Sequence, residues 1–221
     1  MKLLVLDTET TGLNPETNQV IEVGAVLLDL NSKHALGTLQ YLIYAPSNPC
    51  EDINHITQLA LDAAKDQHKP YESLLFSMAE QADYIVAHNA KFDKGFIDKH
   101  VGDLKKIWVC SKEDLKFPKS GKSSRLGHLA YDHNIPVYDA HRALSDVDTL
   151  CSLLLLTPDI KEQIDRAKAP KTLYYADVSY ENREQAKAKG FFWANDARQW
   201  RKLMTETEVS AFTEFPIHKV G

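Results

Sequence analysis

Leu3-Leu4-Val5-Leu6-Asp7-Thr8-Glu9-Thr10-Thr11-Gly12 opens the chain with four apolar residues that give way at once to acid, hydroxyl and glycine. A run so short and continuous, stopped by turn-forming residues, predicts a buried central strand ending at Asp7. Gln19–Leu28 follows as a long β-branched strand, and Leu39–Tyr44 repeats that composition before Pro46 ends it. Three consecutive strands predict a meander. From Asp52 to Ala82 the apolar spacing lengthens to a helical period, with Leu74, Leu75 and Met78 as a stripe. Then come a strand at Asp83–Ala87, a helix at Phe92–Val101, a strand at Ile107–Cys110 and helices at Leu126–His133 and Ala143–Leu156. The result is an α/β core whose early strands are too many for pure parallel alternation.

The 221 residues allow one large domain with a small appendage. Hydrophobic residues at 43% and charged residues at 26% exclude a disordered chain, and no 18-residue apolar stretch is present to span a membrane. Cys50, Cys110 and Cys151 have no metal-ligand spacing, so they read as buried thiols of a reducing, cytoplasmic protein. Pro158, charged residues and Ala169-Pro170 mark a composition break between Thr157 and Thr172, which places one domain at 1–160 and a small α+β module at 172–221. A formal charge of −5 argues against indiscriminate gripping of a polyanion. That charge is uneven: residues 1–60 hold seven acidic side chains against Lys2 and Lys33, and the remainder is neutral.

Three constellations carry chemistry. Side chains two apart on a strand share a face, so Asp7 and Glu9 place two carboxylates side by side. Their repulsion raises both pKa values unless a hard cation such as Mg²⁺ or Mn²⁺ lies between them; a solvated pair at a turn is the alternative. In His88-Asn89-Ala90-Lys91-Phe92-Asp93, Asp93 falls in the first turn of a helix, where an acid is favourable anyway, and Asn89 could simply cap it. In His141-Arg142-Ala143-Leu144-Ser145-Asp146, five helical residues turn through about 500°, so His141 and Asp146 cannot face one point if both are helical. His141 is therefore expected on the preceding loop, as a base that swings toward a fixed Asp146. The plainer alternative pairs Asp146 with Arg142 at i, i+4.

Asp-x-Glu-x-Thr-Gly, His-Asn-x-x-Phe-Asp and His-x4-Asp, in this order and at these junctions, resemble the DEDDh exonucleases, the superfamily of the DNA polymerase III epsilon subunit and RNase T. The resemblance runs from Lys2 to about Leu156. Within it, exonuclease X is similar over Tyr84–Ala90, Trp108–Ser111 and His141–Leu144, while Asn54-His55-Ile56-Thr57 has His55 where glycine is common in the family. The resemblance implies an RNase H-like mixed sheet flanked by helices. It also implies 3′-to-5′ hydrolysis of terminal phosphodiesters with two divalent ions, Mg²⁺ or Mn²⁺, held by Asp7, Glu9, Asp93 and Asp146, with His141 as general base. Two such ions would offset most of the −5.

By the same analogy Thr10 and Leu13 meet the terminal nucleotide, Leu13 as a wedge, and Asn89 steadies the site. Lys112, Lys116, Lys119, Lys122 and Arg125, interleaved with Ser and Gly, form a segment able to track phosphates or merely to stay solvated. The tail, with Trp193 and Trp200 among Lys187, Lys189, Arg198 and Arg201, resembles a small uncharacterised domain appended to nucleic-acid enzymes and departs from exonuclease X. Its tryptophans stack on bases or form the core of the module. Single-stranded DNA or the 3′ ends of duplex DNA are the expected partners. RNA trimming is an alternative, since no motif reports the 2′-hydroxyl. A catalytically silent nucleic-acid-binding module is another, and five filled catalytic positions weigh against it. A proofreading subunit docked on a polymerase is a third alternative; the appended tail, rather than a polymerase-binding motif, favours free action.

Overall fold

A computed structural model describes residues 1–119 and 123–220, as two compact units, Met1–Lys168 and Ala169–Gly221. The first contains, in chain order, β1 (Lys2–Thr10), β2 (Val20–Asp29), β3 (His34–Leu42), α1 (Glu51–Asn54), α2 (Gln58–Ala63), α3 (Lys69–Gln81), β4 (Tyr84–Ala87), α4 (Ala90–His100), β5 (Trp108–Cys110), α5 (Leu126–Asp132), α6 (Ala143–Leu156) and α7 (Ile160–Ala167). The sheet order is β3-β2-β1-β4-β5. The meander β1–β3 is antiparallel, and β4 and β5 add parallel to β1, so the sheet is mixed.

Strand alternation assigns the two faces. Leu3, Val5, Val26 and Leu28 pack with Val147, Leu150 and Leu154 of α6 and with Ile160 and Ile164 of α7. Leu4, Leu6, Val23, Ala25 and Leu27 pack with Leu75 and Met78 of α3 and Phe96 and Ile97 of α4. Burying two such layers is the main stabilising term, at about 25 cal/mol per Å² of apolar surface. Of the described helices, none is long and apolar enough to cross a membrane.

Several expectations change. β1 does not stop at Asp7: its pairing with β2 continues through Asp7↔Gly24, Thr8↔Val23 and Glu9↔Glu22, so the acidic pair lies on the strand itself. The helical stretch 52–82 is three helices, and Leu74 is exposed while Leu75 and Met78 are buried. The expected break at 157–172 contains α7, because Ile160 and Ile164, one helical turn apart, complete the core of the first unit. Cys110 and Cys151 are buried, Cys50 is half-buried, and all three are free thiols. His55 closes α1 at φ 57°, the left-handed conformation that glycine takes without strain.

The second unit contains β6 (Lys171–Ala176), a 3₁₀ turn (Tyr180–Asn182), α8 (Arg183–Ala188), β7 (Phe192–Ala194), β8 (Gln199–Thr205), α9 (Glu206–Ala211) and β9 (Ile217–Lys219). Its sheet order is β7-β8-β6-β9 with every pairing antiparallel. Phe191, Ala186, Met204 and Ala176 form its buried centre, with Tyr174, Trp200, Val209, Phe212 and Phe215 around them. Thr205 starts α9 with a reciprocal capping box to Glu208.

Candidate active site

Asp7 and Glu9 project from the β1 face that α6 covers, beside Gly24 and Glu22 of β2. A Cβ on Gly24 would lie 2.5 Å from the Ala143 carbonyl carbon and the Leu144 nitrogen, so glycine is what lets the first turn of α6 rest on the strand. That contact brings Asp146, in the same turn, over the carboxylates. His141 lies just before α6 with φ 62°, on the loop as the spacing predicts. Ligand-capable atoms of Glu9, His141 and Asp146 all lie within 4.8 Å of one another.

Asp93 arrives from the first turn of α4 and is only 2% exposed. One of its oxygens accepts both the Thr8 backbone N–H at 3.1 Å and the Thr8 hydroxyl at 2.9 Å. The residue between Asp7 and Glu9 in sequence thus anchors the third carboxylate from across the sheet.

The electrostatics are those of crowded acid. Burial, then the charges of Asp93, Asp146, Glu9 and Glu22, push the Asp7 carboxyl well above the usual range. Burial followed by Asp146, Glu22 and Asp93 raises Glu9 to about 8, with Arg142 opposing. Asp93 is pushed up to about 7 by burial, against the hydrogen bonds from Thr8. Asp146 is raised by burial and eased by His141. Four oxygen-donor carboxyls that destabilise one another suit hard divalent cations such as Mg²⁺ or Mn²⁺, so the residues present fit the metal that the sequence implies.

Arg142 does not pair with Asp146. It precedes the helix in extended conformation, φ −119° and ψ 125°, where the i, i+4 rule has no hold. It reaches the fully buried Glu22 instead, donating from Nη2 at 2.6 Å. Glu22 also accepts from the Ala143 backbone N–H at 2.9 Å and from the Gln40 amide at 2.9 Å. Glu22 is not among the site residues expected from the sequence. Its one signal was a lone charged residue inside the apolar run Val20–Leu28.

The expected substrate contacts are dispersed. Thr10 is buried and donates its hydroxyl to the Gly12 carbonyl at 2.7 Å, shaping the turn. Leu13 is 85% exposed beyond it. Asn89 occupies the N-terminal cap of α4 at φ 83° but makes no side-chain capping bond, since its left-handed backbone replaces the extended one that capping uses. Lys119 and Arg125 are exposed, and the bonds they make here are through the backbone: the Lys119 N–H donates to the His133 ring and the Arg125 N–H to the Ser123 hydroxyl. Lys122 lies outside the described residues. His88, quoted in the motif but given no role there, joins the end of β4 to the residue after β5 through Nδ1 and the Ser111 hydroxyl, 2.9 Å apart; burial lowers its pKa.

Residues 4–154 match the Exonuclease family (RNase_T), and residues 172–220 match a domain of unknown function (DUF8626). The chain is 31% identical over 160 residues to DNA polymerase III subunit epsilon of Treponema pallidum (strain Nichols), covering 68% of this chain and 73% of that protein. It is 29% identical over 180 residues to the 3′-5′ exonuclease DinG of Staphylococcus saprophyticus, covering 77% of this chain but 19% of that one. E. coli exonuclease I in complex with a dT13 oligonucleotide shares the fold, with TM-score 0.61 and 16% identity over 80% of this chain and 48% of that one. The chain thus spans about half of exonuclease I and a fifth of DinG. It belongs to the exonuclease family, as a DEDDh-type 3′-to-5′ exonuclease.

Proposed function

We propose that the chain hydrolyses the terminal phosphodiester at the 3′ end of DNA, on single strands and at duplex ends, and releases nucleoside 5′-monophosphates. The observation that carries this reading is the grouping of Glu9, Asp146 and the loop residue His141 within 4.8 Å, with Asp7 and Asp93 close enough for the four carboxyls to raise one another's pKa values. In this reading the four carboxylates hold two Mg²⁺ or Mn²⁺ ions. When bound, such ions lower the pKa of coordinated water and neutralise charge on the phosphate and on the leaving oxygen.

The chain's own groups do the rest. Thr8 fixes Asp93, and β1 fixes Asp7 and Glu9 on a rigid strand, so the ligands need little reorganisation. His141 accepts a proton from the attacking water at a ring nitrogen. Water oxygen bonds to phosphorus, the bond from phosphorus to the 3′ oxygen of the penultimate nucleotide breaks, and that oxygen leaves as a 3′-hydroxyl once protonated. Thr10 and Leu13 position the terminal nucleotide, Asn89 steadies the site, and Lys119, Lys122 and Arg125 follow the phosphates. We place the protein in the cytoplasm, in keeping with its three free thiols.

The test uses 5′-labelled single-stranded DNA, duplex DNA and RNA in Mg²⁺, Mn²⁺ or EDTA. A ladder shortening from the 3′ end of DNA in metal and absent in EDTA is expected. A ladder on RNA alone would replace DNA as the substrate, and no ladder in any metal would leave a binding module.

A further inference from the structure

The sheet of the second unit has one face that its own helices do not use. The side chains of β6, β8 and β9 that enter the core are Tyr174, Ala176, Trp200, Met204 and Ile217, packed with Ala186 of α8 and Val209 of α9. Trp193 pairs in register with Trp200, and the two indoles meet edge to face with centroids 5.5 Å apart. The tryptophans therefore stand on the core side, Trp200 packed in the core and Trp193 46% exposed at its margin.

Alternation sends their register neighbours the other way. Phe192 of β7, Arg201 of β8, Tyr175 of β6 and His218 of β9 are paired residue to residue, so they form one row across all four strands. Leu173 and Leu203 make the next rung on the same face. None of these six belongs to the core of the unit. Phe192 is 54% exposed, Leu203 51% and the His218 side chain 50%. The Tyr175 and His218 rings lie 5.1 Å apart, and the Arg201 guanidinium donates twice to the Gln199 side-chain oxygen, at 3.2 and 3.3 Å.

The unit has eight basic and seven acidic residues, yet its four strands hold no Asp or Glu; of their four cations, alternation puts Lys171 and Arg201 on this face and Lys202 and Lys219 on the core face. An apolar partner on this face would strip water from Arg201 and His218 without replacing it. Asp196 lies 3.8 Å from the Arg201 guanidinium and Asp177 3.8 Å from the His218 ring, both exposed acids that a phosphate can displace; a strand of nucleotides supplies flat base faces for the rings and phosphates for the guanidinium.

We propose that this face is a stacking platform for single-stranded nucleic acid, with bases on Phe192, Tyr175 and His218 and phosphate at Arg201. The choice of occupant rests on the exonuclease reading of the first unit, and the platform would hold the strand independently of metal.

The experiment uses the full chain in EDTA and a 5′-fluorescein dT oligonucleotide read by anisotropy. Comparators are an abasic strand of equal charge, a duplex of equal length, and the variants Phe192→Ala, Phe192→Leu and Arg201→Gln. The dT strand should bind at least about fivefold tighter than either the abasic strand or the duplex. Phe192→Ala and Phe192→Leu should each weaken it by a similar factor. Phe192→Leu keeps the apolar bulk without the flat ring, so loss there at unchanged melting temperature reports stacking rather than folding. Arg201→Gln should also reduce the salt slope by about one.

Equal binding of abasic and dT strands would overturn the proposal, as would wild-type affinity in all three variants. Loss of self-association in sedimentation, in place of loss of oligonucleotide affinity, would assign the face to a second copy. Cleavage of the labelled strand in Mn²⁺ is scored in parallel. The binding pattern without cleavage sinks the exonuclease reading alone; cleavage with unaffected variants sinks the platform alone.

Discussion

Glu22 and Arg142, 120 residues apart, are joined by Nη2 at 2.6 Å and Nε at 3.2 Å, and the same carboxylate takes the Ala143 N–H. Glu22 is wholly buried while the Arg142 side chain stays 30% exposed. The pair is a clamp: it fixes the residue between His141 and the start of α6, and so sets the histidine and Asp146 over β1. It also adds negative charge beside Glu9.

Glu22→Ala should therefore cost about 3 kcal/mol, the low end for a broken buried pair because Arg142 can rehydrate. That is a fall in Tm of about 6–12 °C for a chain of this size. Turnover should drop more than KM rises, since the change moves the reacting groups and not the binding surface. Glu22→Gln, which can still accept from Ala143, should lose less. A Glu22→Ala protein with unaltered Tm and kcat would mean that the clamp positions nothing.

Gly24→Ala tests the same packing from the opposite side. Its new methyl would meet backbone atoms of Ala143 and Leu144 at 2.5 Å, which no rotamer relieves. Overpacking of this kind costs about 1–3 kcal/mol, and here α6 must shift to accept it. Lower Tm together with lower kcat is expected, measured by calorimetry and single-turnover cleavage; a silent substitution would show that α6 can move without consequence.

Much of the site was legible because its residues are chemically conspicuous where they stand. Acid after an apolar run and His-Asn before a helical Asp need no tertiary knowledge to be noticed. The clamp was not legible, because Glu22 lies inside a strand whose apolar neighbours dominate its reading, and its partner is set by a register that only the folded sheet defines. The end of β1 was misplaced for a related reason: Asp7 and Glu9 look like a strand terminus by hydropathy, although backbone pairing with β2 is indifferent to side-chain charge. In the second unit, composition singled out the tryptophans, while alternation put Phe192 and Tyr175 on the other face.

Asp7→Asn separates stability from activity. Removing one charge from a buried cluster of five acids relieves repulsion, so the metal-free protein should melt at a higher temperature than wild type. If Asp7 is a metal ligand, cleavage should fall at least about a thousandfold, because charge stabilisation by bound ions supplies several kcal/mol. Differential scanning fluorimetry in EDTA and the ladder assay read the two effects; retention of full activity would remove Asp7 from the metal set.

The same cluster dictates a pH trend. Glu9 at about 8 and Asp93 at about 7 bind protons more tightly in the folded chain than in the unfolded one, whose values are 4.5 and 3.8. Their stabilising effect is complete at low pH and is lost as pH rises toward the folded values. His88 acts oppositely, but its lowered pKa confines that effect to pH below 6.5. Between pH 6.5 and 8 the metal-free protein should lose Tm steadily, and Mn²⁺ should flatten the curve. A Tm that climbs over this interval in EDTA would contradict the cluster's electrostatics.

His141→Ala should lower kcat by about 10²–10⁴, the usual span for a general base. Because the carboxylates alone are assigned to the metal, binding of a 3′ end should survive. Ca²⁺ gives a clean readout, since it occupies oxygen sites with looser geometry than Mg²⁺ and is expected to support binding without cleavage. The stacking platform complicates a simple titration, so the comparison is made with Phe192→Leu as background, where metal-independent affinity is reduced. In that background EDTA should leave weak binding, Ca²⁺ should restore it, and His141→Ala should not change the Ca²⁺ value. If His141→Ala abolished the Ca²⁺ effect, the histidine would be a ligand of the ion rather than the base, a role that the 4.8 Å grouping with Glu9 and Asp146 also permits.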